Sequence, residues 1–377
     1  MRLSCLQENL KKGLDIVGRA VATRTTLPIT QSVLITAEDS RLKLSATNLE
    51  IAITCWVGAQ VEEEGSVAVP ARLLADFVSS LPNDRLDLTV NQSHQLHIKC
   101  ARHEAHIAGQ NPEDFPPIPS ITEGKAVKVD PELLRKAISR VAFAAATDES
   151  RPVLTGVSAE FEDDQLTLAA ADGFRLAVHK LQLLSPVPEK MSVIVPARSL
   201  NEVHRLLSDQ TEPVEMTLSP NGTQLLTHLQ HADIVSQIIQ GTFPNYKQLI
   251  PKSFVTRCQV DVAEFLRATR IATIFARDSS GIVRLQIGGE DAEGAAGKLI
   301  ISARAEEVGD DVGEIDVSIE GTPGKIAFNG RYLADVLAEL ANGQVALETT
   351  SPSSPGVLRP VDSEDYVHVV MPMFVQW

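Results

Sequence analysis

The sequence predicts an α+β chain in which one domain-sized unit occurs three times. Three observations lead there. First, VPAR occurs at 69–72 and again at 195–198, each time followed by an amphipathic run, and FNGRYLADVLAEL (328–340) is a third counterpart. Second, RLKLSATNLEIAIT (41–54) resembles QLTLAAADGFRLAV (165–178) 124 residues later, and LPITQSVLI (27–35) resembles RPVLTGVSA (151–159) at the same offset. Third, Phe115-Pro116 is followed after 128 residues by Phe243-Pro244, and after 128 more by Met371-Pro372. Solenoid repeats run to roughly 20–50 residues, so a period of about 125 describes whole domains. With boundaries placed where apolar periodicity lapses, near SITEGKA (120–126) and 250–256, the domains are 1–122, 123–251 and 252–377.

Each unit opens on a segment of helical period: 8–21, 130–146 and 261–277. Leu10, Leu14, Val17 and Val21 fall on one helical face in the first, and Leu133, Leu134, Ile138 and Val141 on one face in the second. Asp130 and Asp261 stand where an N-cap belongs, and Pro131 occupies the first helical position. A second helix follows at 71–81, 197–208 and 330–340. Between the helices lie alternating runs such as RLKLSA, LDLTV, QLHIKC, QLTLAA, VEMTLS and KIAFN, which read as half-buried strands parted by Gly, Asn and Asp turns. Helices covering one face of an antiparallel sheet make the class α+β. The last eleven residues, VHVVMPMFVQW, read as a final strand followed by an apolar tail.

Composition is globular, with 44% hydrophobic and 22% charged residues, and the length calls for more than one core. Cys5, Cys55, Cys100 and Cys258 lie far apart and form no CxxC pair, so they read as single thiols in a reducing compartment. No apolar run is long enough for a signal or membrane segment, which makes the cytoplasm the expected location and a membrane partner unexpected.

The net charge of -15 argues against a generally basic nucleic-acid binder. Its distribution is uneven. Helices taken as 7–24, 71–81, 130–146, 197–208, 261–277 and 328–340 hold 14 Lys or Arg against 10 Asp or Glu, whereas the rest holds 20 against 39. Basic helices lining one side would meet phosphates without reading sequence. The plainer reading is that Lys and Arg are good helix formers on exposed faces. Arg72, Arg198 and Arg331, however, recur at the same point in all three units.

At this point the chain resembles the bacterial DNA polymerase III beta subunits, the sliding clamps. The resemblance covers nearly the whole length and rests on TLPIT (26–30), TNLEIAI (47–53), VPAR twice, ADGFRLAV (171–178), TFPNYKQLIP (242–251), FNGRYLADVL (328–337) and YVHVVMPM (366–373). It implies three clamp domains per chain, with two chains joined head to tail in a closed six-domain ring whose helices face encircled duplex DNA. The DNA-facing residues are then Arg24, Arg72, Arg135, Lys136, Arg140, Arg198, Arg205, Arg267 and Arg270. It also implies partners beyond DNA and a second copy: the replicative polymerase alpha subunit, an ATP-dependent clamp loader, translesion polymerases, ligase and mismatch-repair proteins.

Those partners bind, in the family, through short peptides in a pocket between the second and third domains. The matching residues are Leu154, Gly173, Phe174, Arg175, Leu176, Pro244, Gln248 and Leu249, with Asn329, Tyr332, Val369, Met371, Pro372 and Met373; Ala171, Pro352 and Ser354 border the set. Methionine is unbranched and polarizable, so Met371 and Met373 suit a site that accepts several partners. The chain departs from the common pattern at Phe174, where histidine is frequent, and at Gln248 and Phe374, where basic residues are. Fewer cations and more aromatic surface shift the expected preference toward apolar anchors. Gln376 and Trp377 extend the tail, and Phe374 and Trp377 are expected to enlarge the pocket or cap it.

No catalytic site, cofactor or metal is expected. The Asp-Gly of ADGFR reads as a turn and pocket wall, not a catalytic pair. His94, His97, His103 and His106 lack cysteine partners and read as exposed strand positions. GGEDAEGAAGK (288–298) has the wrong spacing for a phosphate loop and reads as a hairpin, and QVEEEG (60–65) as a solvated turn. The alternatives are a non-encircling peptide-binding scaffold, a specialised clamp paralogue, and a repeated-domain enzyme, for which no convergent ionisable cluster is visible.

Overall fold

The computed structural model describes residues 1–38, 40–276, 281–288, 297–305 and 309–377. They form six α-helices: α1 Gln7–Val17, α2 Ala71–Ser80, α3 Pro131–Ala142, α4 Ala197–Leu206, α5 Val262–Ala276 and α6 Gly330–Leu340. The strands assemble into two twelve-stranded antiparallel sheets. The chain divides into two units, the first holding 1–132, 183–185 and 198–238, the second 133–182, 186–197 and 239–377. Each unit contains one of the sheets.

In the first unit α1 buries Leu10, Leu14 and Val17 against the strand Ile51–Glu63 and packs beside α2. Gly13 permits this approach, because a Cβ there would stand 2.7 Å from a Val57 methyl. In the second unit α5 packs on α6 and on strands Gly297–Ala305 and Gly309–Gly321, burying Phe265, Ala272 and Ala276. The caps work as the sequence indicates: Asp130 Oδ1 accepts from Glu132 N at 2.9 Å, and Asp261 Oδ1 from Glu264 N at 3.0 Å.

Successive repeats are joined by strand pairing. In the first unit Ala232–Gln237 adds to Ile51–Glu63, from Ala232 opposite Cys55 to Ser236 opposite Ile51. In the second, Tyr366–Val370 adds in the same antiparallel sense to Arg175–Gln182, with Val369 opposite Leu176. The VHVV portion of the tail is therefore strand, as expected, and it is buried throughout.

Several helix ends differ from expectation. The first helix stops at Val17 and closes with a 3₁₀ turn, Gly18–Ala20, so Val21 and Arg24 lie beyond it, where a threonine-rich stretch of β-branched residues takes over. The helix expected over 130–146 ends at Ala142, and the Phe143 carbonyl accepts instead from Arg175 Nη2 at 2.9 Å. Helix α4 ends in a second 3₁₀ turn, Leu207–Asp209. Arg277, expected at the end of α5, and most of the 288–298 hairpin lie outside the described residues. No helix among the described residues is long and apolar enough to cross a membrane.

Candidate partner pocket and basic helix faces

The second unit gathers many of the expected pocket residues around one arginine. Asp172 begins an Asx turn, its Oδ1 accepting from Phe174 N at 2.8 Å and Arg175 N at 2.9 Å. Gly173 completes the turn at φ +95°, in the left-handed region that disfavours a side chain. The turn delivers Phe174 outward and Arg175 inward. Arg175 Nε meets Asp172 Oδ2 at 3.1 Å, and its Nη1 meets Asp335 Oδ2 of α6 at 2.7 Å. Its guanidinium also lies over the rings of Tyr332, at 4.7 Å, and Phe143, at 5.2 Å. A planar, permanently charged group suits this combination of forked hydrogen bonds and stacking.

Phe174 stacks on Tyr332 with ring centroids 6.3 Å apart and remains 57% exposed. Asn329 caps α6, its Oδ1 accepting from Arg331 N and Tyr332 N, which fixes the start of the helix that carries Tyr332. The tail is pinned on both sides of Pro372: Met371 N donates to Phe174 O at 2.8 Å and Met373 N to Ala327 O at 2.7 Å. The Met371 side chain is left exposed.

Beneath lies an apolar cluster of Ala169, Ala171, Leu176, Val178, Tyr246, Val357, Val367 and Val369, with Phe243 packed against it. Pro244, Gln248 and Leu249 flank Tyr246 around the 3₁₀ turn Tyr246–Gln248, and all three are exposed. Leu154 sits half-buried in another 3₁₀ turn, Pro152–Thr155. Behind Arg175 the ring of Phe143 stacks on the fully buried His368, which also contacts Tyr366 OH through Nδ1 at 3.2 Å. Burial, reinforced by nearby Arg175, lowers the His368 pKa to about 3.

The tail's last residue departs from the expectation. Trp377 lies over the Lys325 ammonium, 5.8 Å from the ring centroid, in a separate cleft of about 540 Å³ lined by Val255, Pro323 and Pro352 among others. Pro352 thus belongs with Trp377, while Phe374 is 85% exposed. Asp335, Phe143 and Tyr246 surround the expected residues but were not placed in the pocket by sequence reasoning, and none carried a local signal. Asp172 stands in the turn that the Asp-Gly of ADGFR announced.

Of the nine basic residues expected to face DNA, eight are exposed: Arg24, Arg72, Arg198 and Arg205 in the first unit, and Arg135, Lys136, Arg267 and Arg270 in the second. Arg72, Arg198 and Arg331 each form the second residue of their helices and are all exposed. Arg205 is held by Glu202 at 3.1 Å. Arg140 differs, being half-buried with its guanidinium over the Tyr366 ring at 5.5 Å, and burial lowers its pKa.

Family models agree with this architecture along the chain. The N-terminal domain of the DNA polymerase III beta subunit matches residues 1–119, its central domain 128–245 and its C-terminal domain 247–374. The chain belongs to the bacterial beta sliding clamps. A beta sliding clamp of Staphylococcus epidermidis is 29% identical over 365 residues, covering 94% of each chain. The DNA polymerase sliding clamp of Bacillus subtilis superimposes with a TM-score of 0.93 at 28% identity, and that of Pseudomonas aeruginosa with 0.90 at 29%, each over 100% of both chains. The chain thus carries three clamp-fold domains. As a sliding clamp it has a DNA-clamp, processivity role and is a non-catalytic accessory subunit, with polymerase and clamp loader as its general partners.

Proposed function

We propose that two copies of this chain close head to tail into a six-domain ring that encircles duplex DNA and tethers its partners through the pocket around Arg175. The domains of the ring would be 1–122, 123–251 and 252–377. One observation carries the reading. Two junctions between repeats are made by antiparallel strand pairing within the chain, and among the described residues the strands that would make a third are left open. His103–Ala108, counterpart of Ala232–Gln237, pairs on one side only among the described residues. The first half of Gly309–Gly321, counterpart of the start of Ile51–Glu63, pairs among the described residues with Gly297–Ala305 alone. A second copy would pair both of these edges. Exposed Ile271 and Ile274 on α5, the latter at 61%, and Val312 on the open strand, at 67%, supply apolar surface for such a contact.

Exposed arginines on the helices would meet phosphates, and closure would hold the DNA by topology, so strong contacts are unnecessary. The pocket would take an extended peptide with apolar anchors, from the replicative polymerase alpha subunit, translesion polymerases, ligase, mismatch-repair proteins and the loader. Tethering raises the polymerase's local concentration at the primer end, so a modest peptide affinity suffices. Light scattering tests the closure: the wild-type chain is expected at twice its monomer mass, and Ile274→Asp at the monomer mass. A monomeric wild type would overturn the ring.

A further inference from the structure

The outer face of the first sheet carries a cluster that the clamp reading does not use. Strands Gln95–Cys100 and His103–Ala108 form a hairpin with His97 directly opposite His106. Leu96, Ile98 and Ile107 point to the buried face, so alternation puts His97, Glu104 and His106 together on the solvent face. The His97 and His106 rings stack at 4.4 Å with 8° between planes, and His97 Nε2 lies 2.6 Å from Glu104 Oε1. One nitrogen from each ring and one Glu104 oxygen fall within 4.8 Å of one another. His94 and His103 stay outside the cluster.

We propose that His97, Glu104 and His106 bind a divalent transition-metal ion of the zinc class. Three donors within 4.8 Å of one another can converge on one ion once side-chain rotation turns the stacked rings toward it, since Zn–N and Zn–O bonds are roughly 2.0–2.2 Å. Two imidazoles and a carboxylate select zinc, copper or nickel over magnesium or calcium, which require oxygen ligands. Thr89 Oγ1 sits 3.4 Å from His97 Nδ1, on the far side of the ring from Glu104, and so favours presentation of Nε2 to the metal. The fourth position would stay open to water. The ion would tie the open edge strand to its neighbour. The site does not depend on ring closure.

The thiols are poor competitors: Cys5, Cys55 and Cys258 are buried, and burial pushes their pKa values up to about 12. Zinc chloride is titrated into tag-free, EDTA-stripped full-length chain by calorimetry, and cobalt(II) substitution is followed by absorbance. Wild type and His94→Gln are expected to bind one zinc per chain, with cobalt bands lacking sulfur charge transfer. The double variant His97→Gln/His106→Gln, which alters only the outer face and should keep the metal-free melting temperature, is expected to bind more than about tenfold more weakly. Equal zinc binding by wild type and the double variant, or none by wild type, would overturn the site.

Discussion

Arg175 ties together Asp172, Asp335, Tyr332 and Phe143 at the proposed pocket, and most of these contacts were illegible in the sequence. Its turn with Asp172 could be read from ADGFR, but Asp335 lies 160 residues away and Phe143 lies 32 away, so no local pattern announces them. Arg175→Met leaves two carboxylates without their cation, and a loss of about 3 kcal/mol is expected by urea denaturation; unchanged stability would contradict the packing. Lysine should not rescue it, having neither fork nor plane. Gln248 is exposed, and Gln248→Arg is expected to raise affinity for acidic partner peptides relative to apolar ones; unchanged peptide affinities would dismiss the proposed preference. His368 and His179 are held neutral, chiefly by burial, with pKa values lowered to about 3 and about 4. Between those values and the unfolded value near 6.5 the unfolded chain binds more protons, so stability is complete above about pH 6.5 and falls with acidification. The slope should reach roughly 1.4 kcal/mol per pH unit for each histidine, and denaturation midpoints between pH 7 and pH 4.5 that do not fall would refute it.

At the scale of elements, helix starts were legible and helix ends were not. Asp130, Asp261 and the VPAR motifs mark starts through local chemistry, and α2, α3, α4 and α5 begin within a residue of the expected place. The ends depend on distant partners, as when the Phe143 carbonyl turns from its helix to Arg175. Asp261→Ala should cost about 1 kcal/mol by removing the α5 cap, measurable by thermal denaturation, with little change in peptide binding. The tail illustrates both limits. Its VHVV strand followed from alternation, but the route of Trp377 to Lys325 depends on a cleft built by residues from 255 to 352. Deleting 374–377 is accordingly expected to leave peptide affinity nearly unchanged, and a several-fold change would tie the tail to the pocket.

For the whole molecule, the threefold repeat was the clearest signal, since it needs only self-comparison. Sequence could not show how repeats merge. The strand pairings that join them run between segments nearly 200 residues apart, such as Arg175–Gln182 with Tyr366–Val370, and produce two sheets from three repeats. The same rule, applied to the open edges at His103–Ala108 and Gly309–Gly321, is what argues for closure by a second copy. Topological holding is the central claim. The most direct measurement loads the protein onto nicked circular DNA with a clamp loader and follows retention by gel filtration before and after a single linearising cut. The account predicts retention on the circle and loss from the linear form. Equal retention on both, or none on the circle, would contradict it.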